Sequence, residues 1–139
     1  MSQRAGKNYR LASEAEWEYA CRAGTTTPFL FGETITTDLA NYDGNYTYAS
    51  AFKGEYRRQT TDVETFPPNA FGLYDMHGNV REWCFDDWVD SYNNFKLLRG
   101  GSWIYLPDFC RSASRSYAVA GFDHNLLGFR VVCGAAWTM

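Results

Sequence analysis

Between Ser13 and Gly24 the apolar positions Trp17, Ala20 and Cys21 fall three and four residues apart, the spacing of a single helix face. Ser13 followed three residues later by Glu16 is a capping-box signature, and Gly24 supplies a stop, so a helix is predicted from about Glu14 to Ala23. From residue 25 to 62 neither the helix nor the strand period is sustained, and Thr, Gly, Asn, Asp and Tyr dominate. This predicts a long irregular segment, of the kind that is usually functional or clamped by an ion. Pro67-Pro68-Asn69 then punctuates the chain and Phe71–Asn79 reads as tight turns. Short strands are predicted at Val80–Cys84, Lys96–Leu98, Gly101–Trp103, Cys110–Ser114 and Phe129–Cys133. One helix, several short strands and much loop is an α+β pattern.

At 139 residues the chain, 1–139, is expected to form a single domain. Aromatic residues make up 18% of it, and so many rings need a core or a binding face. Trp17, Trp83, Trp88 and Trp103 are the expected apolar nucleus. A formal charge of -3 with Arg57-Arg58 as the only tight basic cluster argues against a nucleic-acid partner. No apolar run approaches a membrane span, and the start MSQRAGKNYR lacks the apolar stretch of a signal peptide. The expectation is no membrane insertion and, by default, a cytoplasmic chain. Cys21, Cys84, Cys110 and Cys133 contain no C-x-x-C pair, which argues against zinc or a redox pair. Two disulfides would be possible, but Cys21, Cys84 and Cys133 sit beside aromatic or β-branched neighbours, and buried thiols are the stronger expectation.

Five segments in order carry a resemblance: Tyr9–Ala20 (YRLASEAEWEYA), Phe66–Met76 (FPPNAFGLYDM), Gly78–Trp83 (GNVREW), Arg99–Trp103 (RGGSW) and Gly128–Val131 (GFRV). Together they are specific, and the chain resembles the C-terminal part of the formylglycine-generating-enzyme (sulfatase-modifying factor) family. The resemblance implies a C-type-lectin-like fold, with a short twisted sheet whose loops present a ligand surface. Fold alone does not imply catalysis. Catalytic members are copper-dependent oxidases with two cysteines shortly after the Gly-Gly-Ser segment, since copper(I) needs soft thiolates. Here Trp103–Cys110 reads WIYLPDFC, with one cysteine that aligns better beyond that pair, so no copper and no catalytic residues are expected.

His77 in a turn and His124 in a loop have no carboxylate or nucleophile at a recognisable spacing and read as surface or hydrogen-bonded histidines. Gly100-Gly101 reads as a close backbone approach between strands, not a phosphate cradle. The resemblance also implies a structural calcium ion, held by the Asp75 and Glu82 side chains and the Gly78 and Val80 carbonyls, all hard oxygens. The alternative is that Asp75 caps a turn and Glu82 pairs with an arginine. A second family ion would use Asn41 and the Tyr42 carbonyl, without a clear acidic counterpart around Gly54–Tyr56.

From Gly100 onward the chain also resembles the variable proteins of diversity-generating retroelements, in which adenines in codons of a lectin-fold surface are mutated. Arg99–Trp103, Cys110–Ala113, Arg115 and Gly128–Arg130 match the framework. Within the intervening segment 103–128, Ile104, Tyr105, Asp108, Phe109, Ser114, Ser116, Tyr117, Phe122, Asp123, His124 and Asn125 are the candidate ligand-binding residues. Randomising the adenines of an asparagine codon never produces Lys, Glu, Gln, Met or Trp, and none of these occurs from Ile104 to Leu127. Background usage would leave such a gap on the order of a few per cent of the time. The same composition suits a paratope, where stiff rings give area and small polar groups adapt. The expected function is a non-catalytic module binding a protein or small molecule through this surface. A formylglycine-type oxidase and a sensory or interaction module of a larger signalling protein are the alternatives.

Overall fold

The computed structural model describes residues 8–88 and 94–134; the first seven residues, read above for a leader, lie outside the described residues. Strand β1 (Asn8–Leu11) leads directly into helix α1 (Glu14–Arg22). The capping box is present: Ser13 Oγ accepts from the Glu16 N–H at 3.2 Å and the Glu16 carboxylate accepts from the Ser13 N–H at 2.8 Å. The helix stops one residue earlier than expected. Ala23 takes the left-handed conformation (φ 45°) and its N–H bonds the Tyr19 carbonyl, with Gly24 (φ 94°) continuing the turn.

A four-stranded sheet holds β2 (Arg81–Asp87), β3 (Phe95–Arg99), β4 (Arg115–Val119) and β5 (Leu127–Gly128) in the order β4-β3-β2-β5. β3 runs antiparallel to both neighbours, and β5 lies parallel to β2. A separate antiparallel pair joins β1 to β6 (Val131–Gly134). Three strand expectations need correction. Gly101–Trp103 is not a strand, because Gly100 and Gly101 sit at φ 95° and 72° and turn the chain. Cys110–Ser114 is not one either: Pro107–Cys110 coils as a 3-10 turn, and the strand begins only at Arg115. The run expected at Phe129–Cys133 begins only at Val131, as β6, with the two-residue β5 just before it.

The core has two parts. Ala12, Trp17, Cys21, Met76, Cys84 and Leu97 pack between α1 and the inner face of the sheet. Phe29, Ile35, Ala40, Tyr42 and Cys110 form the second part, so the irregular segment from 25 to 62 is fixed by its own buried rings. Trp17 is the buried tryptophan of the nucleus; Trp83, Trp88 and Trp103 are only half-buried, contrary to expectation, and Trp103 stacks on Tyr56 at 6.3 Å. All four cysteines are free thiols. Cys21, Cys84 and Cys110 are buried, while Cys133, expected inside, is exposed at the end of β6.

A buried cation ties these layers together. Arg99, 1% exposed, pairs with Glu18 and lies 3.4 Å from Glu14 while its guanidinium covers the Trp17 ring at 5.3 Å. It also donates to the Ser112, Ser114 and Ala113 carbonyls at 2.8, 3.0 and 3.3 Å. Spreading its terminal donors over two carboxylates and three carbonyls compensates most of the cost of burying the charge, with Nε left unpartnered. The chain leading into β4 is thereby pinned to α1.

Candidate ligand-binding site

Along β2 the side chains alternate. Glu82 accepts from Trp17 and Cys84 joins the core, so Arg81, Trp83 and Phe85 point to the opposite, outer face of the sheet. By the same rule Leu97 is inner, and Lys96 and Leu98 are outer. Ser116, paired with Leu98, shares that outer face.

Two depressions lie on it. The first, about 160 Å³, brings together Tyr105, Phe109, Ser114 and Ser116 with Arg81 and Leu98. The second, about 390 Å³, is lined by Trp83, Phe85, Lys96, Phe122, Asp123 and Phe129. Trp83 of the second and Leu98 of the first are direct cross-strand partners, so the depressions are neighbours. Tyr105 is held from both sides of the chain: its N–H bonds the Ser102 carbonyl and its carbonyl accepts from the Asp43 N–H, each at 3.0 Å. The Arg81 guanidinium stands 4.9 Å from the centre of its ring, and Phe109 lies 5.8 Å away.

The other sequence candidates distribute around these two centres. Ile104 and Asp108 are exposed beside the first. His124 and Asn125 are exposed near the second, where the His124 ring stacks on Phe122 at 5.9 Å. Tyr117 does not join them. It projects from the opposite face of β4, against Trp88 at 4.7 Å and Phe95 at 5.0 Å, because strand alternation separates it from Ser116. Arg81, Trp83, Phe85 and Phe129 were missed as site residues. The first three carry a period-two signal, since inward Glu82 and Cys84 force their neighbours outward; Phe129 had been assigned to the framework.

The residues of the implied calcium site gather at a third depression, where Asp75, Val80 and Glu82 line a cavity of about 340 Å³ with Arg130. Glu82 is clamped by Arg130 through bonds of 2.6 and 2.7 Å and accepts from Trp17 Nε1 at 2.7 Å, the arginine pairing weighed from sequence. Asp75 accepts from the Glu64 N–H at 3.1 Å, and its burial pushes its carboxyl above the ordinary range. Among the described residues the Gly78 and Val80 carbonyls accept no hydrogen bond. Asn41 is fully buried and its Oδ1 is unpartnered, while its Nδ2 donates to the Gln59 carbonyl at 2.8 Å and to Asn79 Oδ1 at 3.2 Å. The unclaimed Gly78 and Val80 carbonyls and the Asp75 carboxylate are hard donors of the kind calcium uses, whereas both Glu82 oxygens are engaged by Arg130 and Trp17; the orphaned Asn41 Oδ1 belongs to the second ion site.

His77 is buried and doubly bonded. Its Nε2 accepts from the Leu30 N–H at 3.0 Å, which leaves Nδ1 to carry the proton donated to the Cys110 carbonyl at 2.7 Å. Burial, the largest cause, lowers its pKa to about 4. Burial likewise pushes the Cys110 thiol up to about 12, so it is an inert, protonated core group. No three His, Cys, Asp or Glu side chains converge on a metal-sized site among the described residues, and no described helix is long and apolar enough to cross a membrane.

Comparison with known proteins places this geometry. Residues 1–135 match the family model described as the sulfatase-modifying factor enzyme 1-like domain. The serine/threonine-protein kinase pkn1 of Chlamydia pneumoniae is 35% identical over 87% of this chain, which spans 20% of the kinase. The formylglycine-generating enzyme of Mus musculus is 32% identical over 91% of the chain and 39% of its own length. An inactive C-alpha-formylglycine-generating enzyme 2 from Bos taurus is 30% identical over 94% of the chain and 46% of its own. The chain thus covers between a fifth and under half of these relatives. Among solved structures, PvdO from Pseudomonas aeruginosa superimposes with a TM-score of 0.77 at 39% identity, over 94% of this chain and 54% of that one. Treponema denticola variable protein 1 superimposes with a TM-score of 0.70 at 31% identity, over 90% and 47%. Active enzymes and an inactive paralogue therefore share this domain, and the chain belongs to the sulfatase-modifying factor enzyme 1-like family with its C-type-lectin-like fold.

Proposed function

We propose that this chain is a non-catalytic ligand-binding module, working as the variable protein of a diversity-generating retroelement and binding a protein or small-molecule ligand through residues 104–127. The observation that carries the proposal is the convergence of Tyr105, Phe109, Ser114 and Ser116 on one depression, beside exposed Ile104 and Asp108, over a framework locked by Arg99. Rings and small hydroxyls on a fixed scaffold suit recognition by shape. The similarity to a variable protein of the same fold supports it. The stretch from Trp103 to Phe109 contains no thiol, and Cys110 is buried and protonated, so this chain offers no exposed thiolate pair there for oxidase chemistry. Calcium, held by Asp75, Gly78, Val80 and Glu82, would serve as a structural ion fixing the turn into β2, and Glu82 would have to share its carboxylate between the ion and Arg130. The similarity to kinases of which the chain spans a fifth favours, as a second reading, an interaction module of a larger protein.

The test is a display library with asparagine-type degenerate codons at Ile104, Tyr105, Asp108, Phe109, Ser114 and Ser116, panned against immobilised lysozyme. The proposal predicts that most members remain protease-resistant and that binders emerge. Collapse of most members into protease-sensitive chains would refute it.

A further inference from the structure

Three arginines border the first depression, and their charges are not equivalent. Arg99 is paired with Glu18 and Glu14, and Arg115 is paired with Glu14 through bonds of 2.6 and 2.8 Å. Arg99 and Arg115 thus each have a carboxylate partner, Glu18 being shared with Arg22 at 2.9 Å. Arg81 has no such partner: it forms no ion pair or hydrogen bond through its side chain among the described residues, and its contact is the face of Tyr105. Its Nε is buried and unpartnered, as is the Nε of Arg99, but Arg81 has no carboxylate partner among the described residues to compensate it. A buried donor left unmatched is costly, and in native structures it signals a missing partner. The Ser114 hydroxyl, on the rim of the same depression, also lacks a hydrogen-bond partner among the described residues.

Resting on the ligand-surface proposal above, we propose that Arg81 is the anchor for a carboxylate carried on an apolar stem. The guanidinium fork matches a carboxylate with two parallel N–H···O bonds, and the buried Nε supplies one edge of that fork. The unpaired positive charge of Arg81 matches a monoanion. The rings of Tyr105 and Phe109 cover the stem. A cavity of about 160 Å³ takes one acid group with its adjoining carbons, either from a free aromatic acid or from the C-terminus of a protein. Arg81 precedes the candidate variable segment, so every variant of that segment would inherit the anchor while its neighbours change the shape around it. The anchor thus defines a ligand class and the loop selects within it.

The experiment follows the Arg81 Nε–H signal and the amide signals of residues 104–127 by NMR in the whole chain. The probes are phenylacetate and phenylacetamide for a free acid, and an acetylated Gly-Gly-Phe peptide with a free or amidated carboxylate for a protein terminus. The acids should shift the Arg81 signal and bind roughly tenfold or more tightly than their amides, as expected for a charge-assisted pair. Arg81→Gln should remove that preference, Arg81→Lys should restore part of it, and added salt should weaken it. Preference for the peptide over phenylacetate would assign the anchor to protein termini, and the reverse to small acids. Equal binding of acids and amides at Tyr105 and Phe109 would overturn the anchor while leaving the ligand surface intact. No response at residues 104–127 to any probe would overturn both.

Discussion

His77 shows how much one side chain can determine. It sits between the irregular segment, through Leu30, and the turn that carries the candidate loop, through Cys110, edge-on to Phe29 at 5.5 Å. The Leu30 bond requires the neutral imidazole, since a protonated Nε2 could no longer accept, whereas the Nδ1–H bond to the Cys110 carbonyl survives protonation. The folded-state pKa of about 4 lies below the unfolded value of 6.5, so the unfolded chain binds more protons as pH falls. Stability attributable to this group is complete above about pH 6.5 and is lost as pH falls toward 4. The full loss is about 3 kcal/mol, at 1.36 kcal/mol per pKa unit. Denaturant melts between pH 7 and pH 4.5 should show that slope, and His77→Gln should flatten it. A wild-type slope that survives the substitution would mean that another group is responsible.

At the scale of elements, the turn after β3 decides where the loop can go. Gly101 has φ 72°, and a Cβ there would stand 2.5 Å from Cys110 Sγ and 2.9 Å from the Phe109 carbonyl. Gly101→Ala should therefore destabilise the protein by about 2 kcal/mol or more in a thermal melt, from strain and overlap together. Gly24, which meets nothing within 4 Å, is the matched control, where only backbone strain applies. This close approach was legible in the sequence, although it is made by the 3-10 turn and not by a strand. Helix α1 was legible because its signals are local: Ser13, Glu16 and the apolar spacing lie within one short window. β1 was not. Its four residues have no clear alternation and gain their partner from Val131–Gly134, at the far end of the chain. The half-exposure of Trp83 and Trp103 was hidden for a related reason, because residue type reports the value of burial but not which face of a strand or turn is covered. The alternation that aims Arg81, Trp83 and Phe85 outward was present in β2 and becomes readable once Glu82 and Cys84 are known to be inside.

At the scale of the whole molecule, a fixed framework, to which Cys110 and strand β4 belong, carries the exposed side chains of the proposed surface. The calcium proposed above would belong to the framework, and its binding to the folded state alone would add about 2.7 kcal/mol at a hundredfold excess over Kd. Chelation should accordingly lower the melting temperature, and Asp75→Asn should abolish the response. Asp75 is the cleaner probe, because Glu82→Gln would also break the Arg130 pair. A melt indifferent to chelator would leave Asp75 as a turn residue and Glu82 as an ion-pair partner. The division between framework and surface is tested most directly by denaturant melts of alanine variants at Ile104, Asp108, Phe109, Phe122 and His124, compared with Trp17→Ala. Trp17 is 1% exposed and supports both Glu82 and Arg99, so its loss should cost about 3–5 kcal/mol. The five loop positions, with Phe109 and Phe122 half-exposed, should each change stability by no more than about 1 kcal/mol. Loop variants as costly as Trp17→Ala would make residues 104–127 part of the core and contradict the account of a variable ligand-binding face.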